Sequence, residues 1–202
     1  MVIVSLVGIK NVGKKLLFNI KPTKIASITI VTSLVISSLI GIAIIIIGDV
    51  GTIEMKILGT TAILGGCSLL CLPSLFNLER YRYKMFTAPG MLFSIVFFGL
   101  LLFLMWSENT LDGEYFLKSI FTIGVIAFAI NHSLLLLMIK PVKKLVDRAQ
   151  KVTIGVLSVV AVLILLSVWS NEFPEPLVRL LISFIILDVL GTISLPILNK
   201  LR

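Results

Sequence analysis

Residues 119–139 read SIFTIGVIAFAINHSLLLLMI, a run with no Asp, Glu, Lys or Arg that is bracketed by Lys118 and Lys140. A helix of about 20 such residues crosses a hydrocarbon layer about 30 Å thick, since each residue rises about 1.5 Å. A transmembrane strand would need about ten residues alternating apolar with polar, and the run from Leu134 to Ile139 does not alternate. The stretch is therefore a spanning helix, and five others share its character. The expected spans are Ile25 to Ile47, Ile57 to Leu78, Pro89 to Ser107, Ser119 to Ile139, Val152 to Ser170 and Leu177 to Leu198. The fold class is all-α, a polytopic integral membrane protein with six transmembrane helices.

The whole chain agrees with that reading. Its 202 residues are 58% hydrophobic and only 14% charged, with a mean hydropathy of +1.13, whereas a water-soluble domain carries about 25% charged residues. The links between spans are roughly 9, 10, 11, 12 and 6 residues long, too short for a soluble domain or for carrying the chain across a bundle. Two cysteines and one histidine exclude a disulfide scaffold, a Cys/His zinc module and a bis-histidine haem. No cofactor and no metal is expected.

Residues 1–24 form a separate segment. On a helical wheel Val2, Leu6, Ile9, Leu16 and Ile20 fall on one side, and Lys10, Asn11, Lys14, Lys15 and Lys21 on the other. That pattern predicts an amphipathic helix lying in the membrane interface, its lysines reaching anionic headgroups. The short apolar run precedes its charges and lacks a small-residue cleavage site, so a cleaved signal peptide is not expected.

Orientation follows from where the basic residues sit, because short positively charged loops resist translocation. Of the 18 basic residues, all but Lys56, Lys118 and Arg179 lie in the N-terminal segment, the second and fourth loops or the C-terminal tail. Arg80, Arg82, Lys143, Lys144 and Arg148 belong to this larger set, with Lys14 and Lys15. Most acids, from Asp49 to Glu175, fall on the opposite side. Both termini are expected in the cytoplasm and the protein in the plasma (inner) membrane. The formal charge of +8 is then topogenic and lipid-facing, with no recognition fold that would direct it to nucleic acid.

Self-comparison gives a period of about 62 residues. Gly51 aligns with Gly113, Lys56 with Lys118, and Trp106-Ser107 with Trp169-Ser170. Leu72-Pro73 and Leu195-Pro196 extend the scheme to the last span. Three tandem helical hairpins related by an axis along the membrane normal account for this layout. Lys56, Lys118 and Arg179 would open the even-numbered spans, pairing with nearby acids or snorkelling to headgroups.

Few polar residues lie at depth. Ser33, Ser37 and Gly41 recur every four residues on the first span, as Ala62 with Gly66 and Thr61 with Gly65 do on the second. Such small-residue faces suit close helix contacts. Cys67 and Cys71, also four apart, are expected to be packing residues. Asp188 is the acid inside a span, where a carboxylate costs at least about 2.5 kcal/mol and must be neutral, paired or wet. His132, with Asn131 before it, lies about five residues deeper than Asp188 when each is counted from its own outer cation, so that contact is expected to require tilt or a bridging water.

Hydrolase, phosphate-loop and metalloprotease motifs are absent. A non-enzymatic subunit, anchor or scaffold of a membrane assembly is the leading expectation, with other membrane subunits or further copies of itself as partners. The competing one is a small proton-coupled transporter or channel, with Asp188, His132, Asn131 and Thr192 lining its path. An enzyme acting on lipid headgroups is the weakest of the three, since no acid, base or ligand set is visible.

Overall fold

The computed structural model describes residues 22–47, 51–79, 84–107, 113–170 and 173–200. Six helices account for nearly all of them: α1 (Pro22–Ile47), α2 (Thr52–Glu79), α3 (Lys84–Trp106), α4 (Glu114–Leu137), α5 (Lys144–Trp169) and α6 (Glu175–Lys200). There is no strand among the described residues. Helices α2 to α6 are each long and apolar enough to cross a membrane; the remaining expected span falls in α1, which carries an apolar stretch at Val31–Ala43. The protein is therefore a helical, multi-pass membrane protein in contact with lipid. The interfacial segment, and with it Lys14 and Lys15, lies outside the described residues, as do Arg80 and Arg82.

The helices overrun the apolar runs that define them, because backbone hydrogen bonding continues into the polar layer. α3 begins five residues before Pro89, and α5 eight residues before Val152. Each even-numbered helix carries an acid in its first turn, Glu54, Glu114 or Glu175, where the helix dipole favours negative charge. Two of these acids also hold the cation one turn on: Glu114 to Lys118 and Glu175 to Arg179, both at 2.6 Å. Lys56 instead lies over the Trp106 ring, 5.6 Å from its centroid. On α5, exposed Lys144 and Arg148 flank Asp147, which pairs with Lys151 at 2.8 Å.

Each helix packs on the next in the chain, and α2 also packs on α4. Part of the small-residue pattern serves these contacts, whereas Ala62 is exposed and a Cβ on Gly41 would meet nothing within 4 Å. Ser33 is buried and its Cβ stands near Gly65, while Ser37 Oγ and Thr61 Oγ1 share a hydrogen bond of 2.6 Å between α1 and α2. Cys71 packs with Leu75, Cys67 and Met91 in an apolar cluster.

A second contact recurs along the chain. The Trp106 indole N–H donates to Thr60 Oγ1 at 3.0 Å, and the Trp169 indole N–H to Thr122 Oγ1 at 3.0 Å. Each threonine in turn donates to the carbonyl of the lysine four residues before it, Lys56 or Lys118. Ser183 bonds to the Arg179 carbonyl in the same way on α6. Thus the end of α3 is fixed to the start of α2, and the end of α5 to the start of α4.

At the opposite end, Leu136, Val146 and Leu195 form a buried apolar cluster joining α4, α5 and α6. Side chains also serve carbonyls at and just beyond the end of α4. Gln150 Nε2 donates to those of Leu136 (2.5 Å) and Ile139 (3.1 Å), and the Val142 N–H donates to Asn199 Oδ1 at 3.1 Å.

Candidate functional site

α4 presents two polar residues in succession, Asn131 and His132, and successive residues on a helix point about 100° apart. They consequently serve different neighbours. Asn131 turns toward α2 and α3, and His132 toward α6.

Asn131 is the hub of a fully buried cluster. Its amide nitrogen donates to Ser94 Oγ (2.9 Å) and to the carbonyls of Gly90 (3.2 Å) and Ala127 (2.8 Å). Its carbonyl oxygen accepts from Ser74 Oγ at 2.6 Å, and Ser94 Oγ donates onward to the Gly90 carbonyl at 2.7 Å. Ser74 and Ser94 are wholly buried, and Asn131 is 1% exposed. Close by, Asn77 Nδ2 donates to the carbonyls of Pro73 (2.8 Å) and Leu134 (3.3 Å), so the backbone around the helix-interior proline is tied to α4. Gly90 is essential to this approach, since a Cβ there would meet Ser74 Oγ at 2.7 Å and Ile130 Cγ2 at 3.0 Å. The cluster leaves little unused: its donors and acceptors are matched in a medium where an unmatched group is costly.

His132 makes the second group. Its Nε2 lies 3.1 Å from Thr192 Oγ1 and 3.6 Å from Asp188 Oδ2, and its ring stacks on Phe128 one turn away, centroid to centroid 5.5 Å. The expected separation in depth is therefore bridged directly. His132 stands level with Thr192, and the imidazole leans toward the N-terminal end of its own helix, as helical side chains do, to reach the turn that carries Asp188. Asp188 is 8% exposed, and its Oδ1 is buried without any hydrogen-bond partner. Among the described residues it is the buried side-chain oxygen or nitrogen left in that state.

The four residues named from sequence thus separate. Asp188, His132 and Thr192 come together between α4 and α6, while Asn131 belongs chiefly to the α2–α3–α4 cluster. Thr192 lies 61 residues after Asn131, as Arg179 lies 61 after Lys118, and each of the two bonds to the preceding even-numbered helix. Lys56, Lys118 and Arg179 remain a helix end away from all four. Sequence reasoning missed Ser74 and Ser94, although Ser74 follows Pro73 directly and Ser94 is one helical turn beyond Gly90.

A groove of about 780 Å³ adjoins both groups. Residues of α2, α3, α4, α5 and α6 line it, including the rings of Phe97, Phe98, Phe121 and Phe128. Its polar side chains are those of Asn131, His132 and Asp188. Phe121 and Phe128 are more than half exposed, so the groove opens sideways from the bundle. No group of three or more His, Cys, Asp or Glu side chains suited to a metal ion occurs among the described residues. No protein-family model, curated protein or solved structure matches the chain.

Proposed function

We propose that this protein is a small proton-coupled membrane transporter in which Asp188 and His132 form the intramembrane proton site. The observation that carries the reading is Asp188 Oδ1, a buried carboxylate oxygen without a partner inside an apolar bundle, beside a histidine 3.6 Å from the other oxygen. An intramembrane carboxyl group is expensive unless it binds a proton, a cation or water, and that cost supports reading it as a functional site. His132 can relay a proton because either ring nitrogen of its imidazole can carry one, and its Nε2 lies 3.1 Å from Thr192 Oγ1 and 3.6 Å from Asp188 Oδ2.

The frame for this activity is six spanning helices with both termini in the cytoplasm, in the plasma membrane, with the basic loops on anionic lipid. The recurring Trp-to-Thr bonds and the matched positions of Asn131 and Thr192 support three tandem hairpins, with the proton site where the second meets the third. The reading involves no bond-breaking chemistry on a substrate and no cofactor.

Reconstitution in liposomes containing a pH-sensitive dye tests it. Under an imposed membrane potential the wild type should acidify or alkalinise the lumen faster than empty liposomes, and Asp188→Asn should abolish the difference at equal protein content. Flux that survives this substitution refutes the proton site.

A second reading, a structural subunit of a membrane assembly, is favoured by the Asn131 cluster, whose saturated hydrogen bonds have the character of a fixed joint. It would be preferred if Asp188→Asn abolished co-purification with a membrane partner and left no flux to lose.

A further inference from the structure

The groove adjoining Asp188 has a composition that selects its occupant. Its walls are apolar, with four phenylalanine rings, and its volume of about 780 Å³ lies in the range of sites for drug-sized molecules, about 300–1,000 Å³. Of its three polar side chains, Asn131 already serves Ser74, Ser94 and two carbonyls, and His132 Nε2 is engaged with Thr192. Asp188 keeps one buried carboxylate oxygen, Oδ1, without a partner. No lysine or arginine lines the groove, so an anion would meet a carboxylate with nothing to compensate it. A sugar or nucleotide would bury many hydroxyl and amide groups against apolar walls, at the cost of each unmade hydrogen bond. A neutral hydrocarbon would fit the walls and leave Asp188 unpaired. A monovalent cation wrapped in apolar groups satisfies both: its charge neutralises the carboxylate, its surface matches the walls, and aromatic faces add cation–π attraction.

Resting on the proton-site reading above, we infer that the groove binds a lipophilic organic cation, entering sideways from the membrane past Phe121 and Phe128, and that this cation and a proton compete for Asp188. Exchange of one positive charge for the other keeps the Asp188 carboxylate neutralised throughout, which is the condition for it to persist in an apolar interior. The loading of the cation then expels the proton toward His132, and reprotonation releases the cation.

Equilibrium binding of radiolabelled tetraphenylphosphonium to the full chain in nanodiscs of zwitterionic lipid tests the inference, with tetraphenylborate as a probe of nearly identical shape and opposite charge. The wild type should bind tetraphenylphosphonium saturably, one per chain, and tetraphenylborate should not displace it. Asp188→Asn should weaken binding at least tenfold, Asp188→Glu should restore most of it, and Phe128→Ala should weaken it severalfold. Thermal unfolding of each variant separates lost binding from lost fold. Equal binding by Asp188→Asn, or effective displacement by tetraphenylborate, would overturn the inference. The two readings fail separately: proton flux without saturable tetraphenylphosphonium binding removes the ligand and keeps the proton site, whereas Asp188-dependent binding without flux keeps the ligand site and removes transport.

Discussion

The two faces of α4 use similar residues to opposite ends. Toward α2 and α3, Asn131 gathers two hydroxyls and two carbonyls into a cluster that is almost wholly buried and matched. Toward α6, one residue further on, His132 meets a threonine and an aspartate, and one oxygen of that aspartate has no partner. The first face has nothing left to bind, so its contribution is to hold three helices in register. The second keeps a buried, unpaired acceptor oxygen on a residue that lines a groove. In a membrane, where every unmatched polar group is costly, the residual mismatch rather than the number of polar residues sets the two faces apart.

The largest expected effect is on transport. Asp188→Asn should remove all measurable proton flux, whereas Asn131→Leu, assayed per folded molecule, should retain most of it. A variant of Asn131 as inactive as Asp188→Asn, with its fold intact, would erase the distinction between the two faces.

Stability should respond in the reverse sense. Asn131→Leu strands the Ser74 hydroxyl and removes the donor to Ser94 Oγ, and a loss of about 1–3 kcal/mol is expected in reversible unfolding from bicelles. Asp188→Leu removes a buried carboxyl that lacks half its partners, so its unfolding midpoint should hold or rise. Equal destabilisation by the two substitutions would show that both faces are structural.

Gly90→Ala sharpens the comparison from the packing side. The added Cβ meets Ser74 Oγ, pushing it off Asn131, for an expected cost of about 1–3 kcal/mol by overpacking, with no direct effect on the His132 face. The smallest effect belongs to the recurring tryptophans. Trp106→Phe and Trp169→Phe each lose one exposed hydrogen bond to a threonine, worth about 0.6 kcal/mol, and Trp106→Phe also weakens the contact with Lys56, so its loss should be the same or slightly larger. A larger loss for Trp169→Phe would weaken the case that the two Trp-to-Thr junctions repeat one design.

The helices were legible in the sequence because a membrane imposes a length, and runs such as residues 119–139 satisfy it without help from tertiary contacts. Asp188 and His132 were legible because polarity at depth is rare. Their contact was not, since counting residues along two helices gives the heights of Cα atoms, and the reach of an imidazole spans the remaining turn. The period of about 62 residues marked Trp106 and Trp169, yet their acceptors Thr60 and Thr122 look unremarkable in sequence, four residues after a lysine. Ser74 and Ser94 escaped for a similar reason: a serine within an apolar helix commonly bonds to its own backbone, and only the fold brings these two to one asparagine.

The placement of the two indoles also has an optical consequence. The chain contains two tryptophans, and both are tied to threonines at the same end of the bundle. Its tryptophan emission therefore comes from a single layer, far from the Pro73 and Pro196 end. Lipids brominated at successive acyl carbons should quench that emission with one sharp depth profile, so the protein carries its own gauge of how it sits in the bilayer.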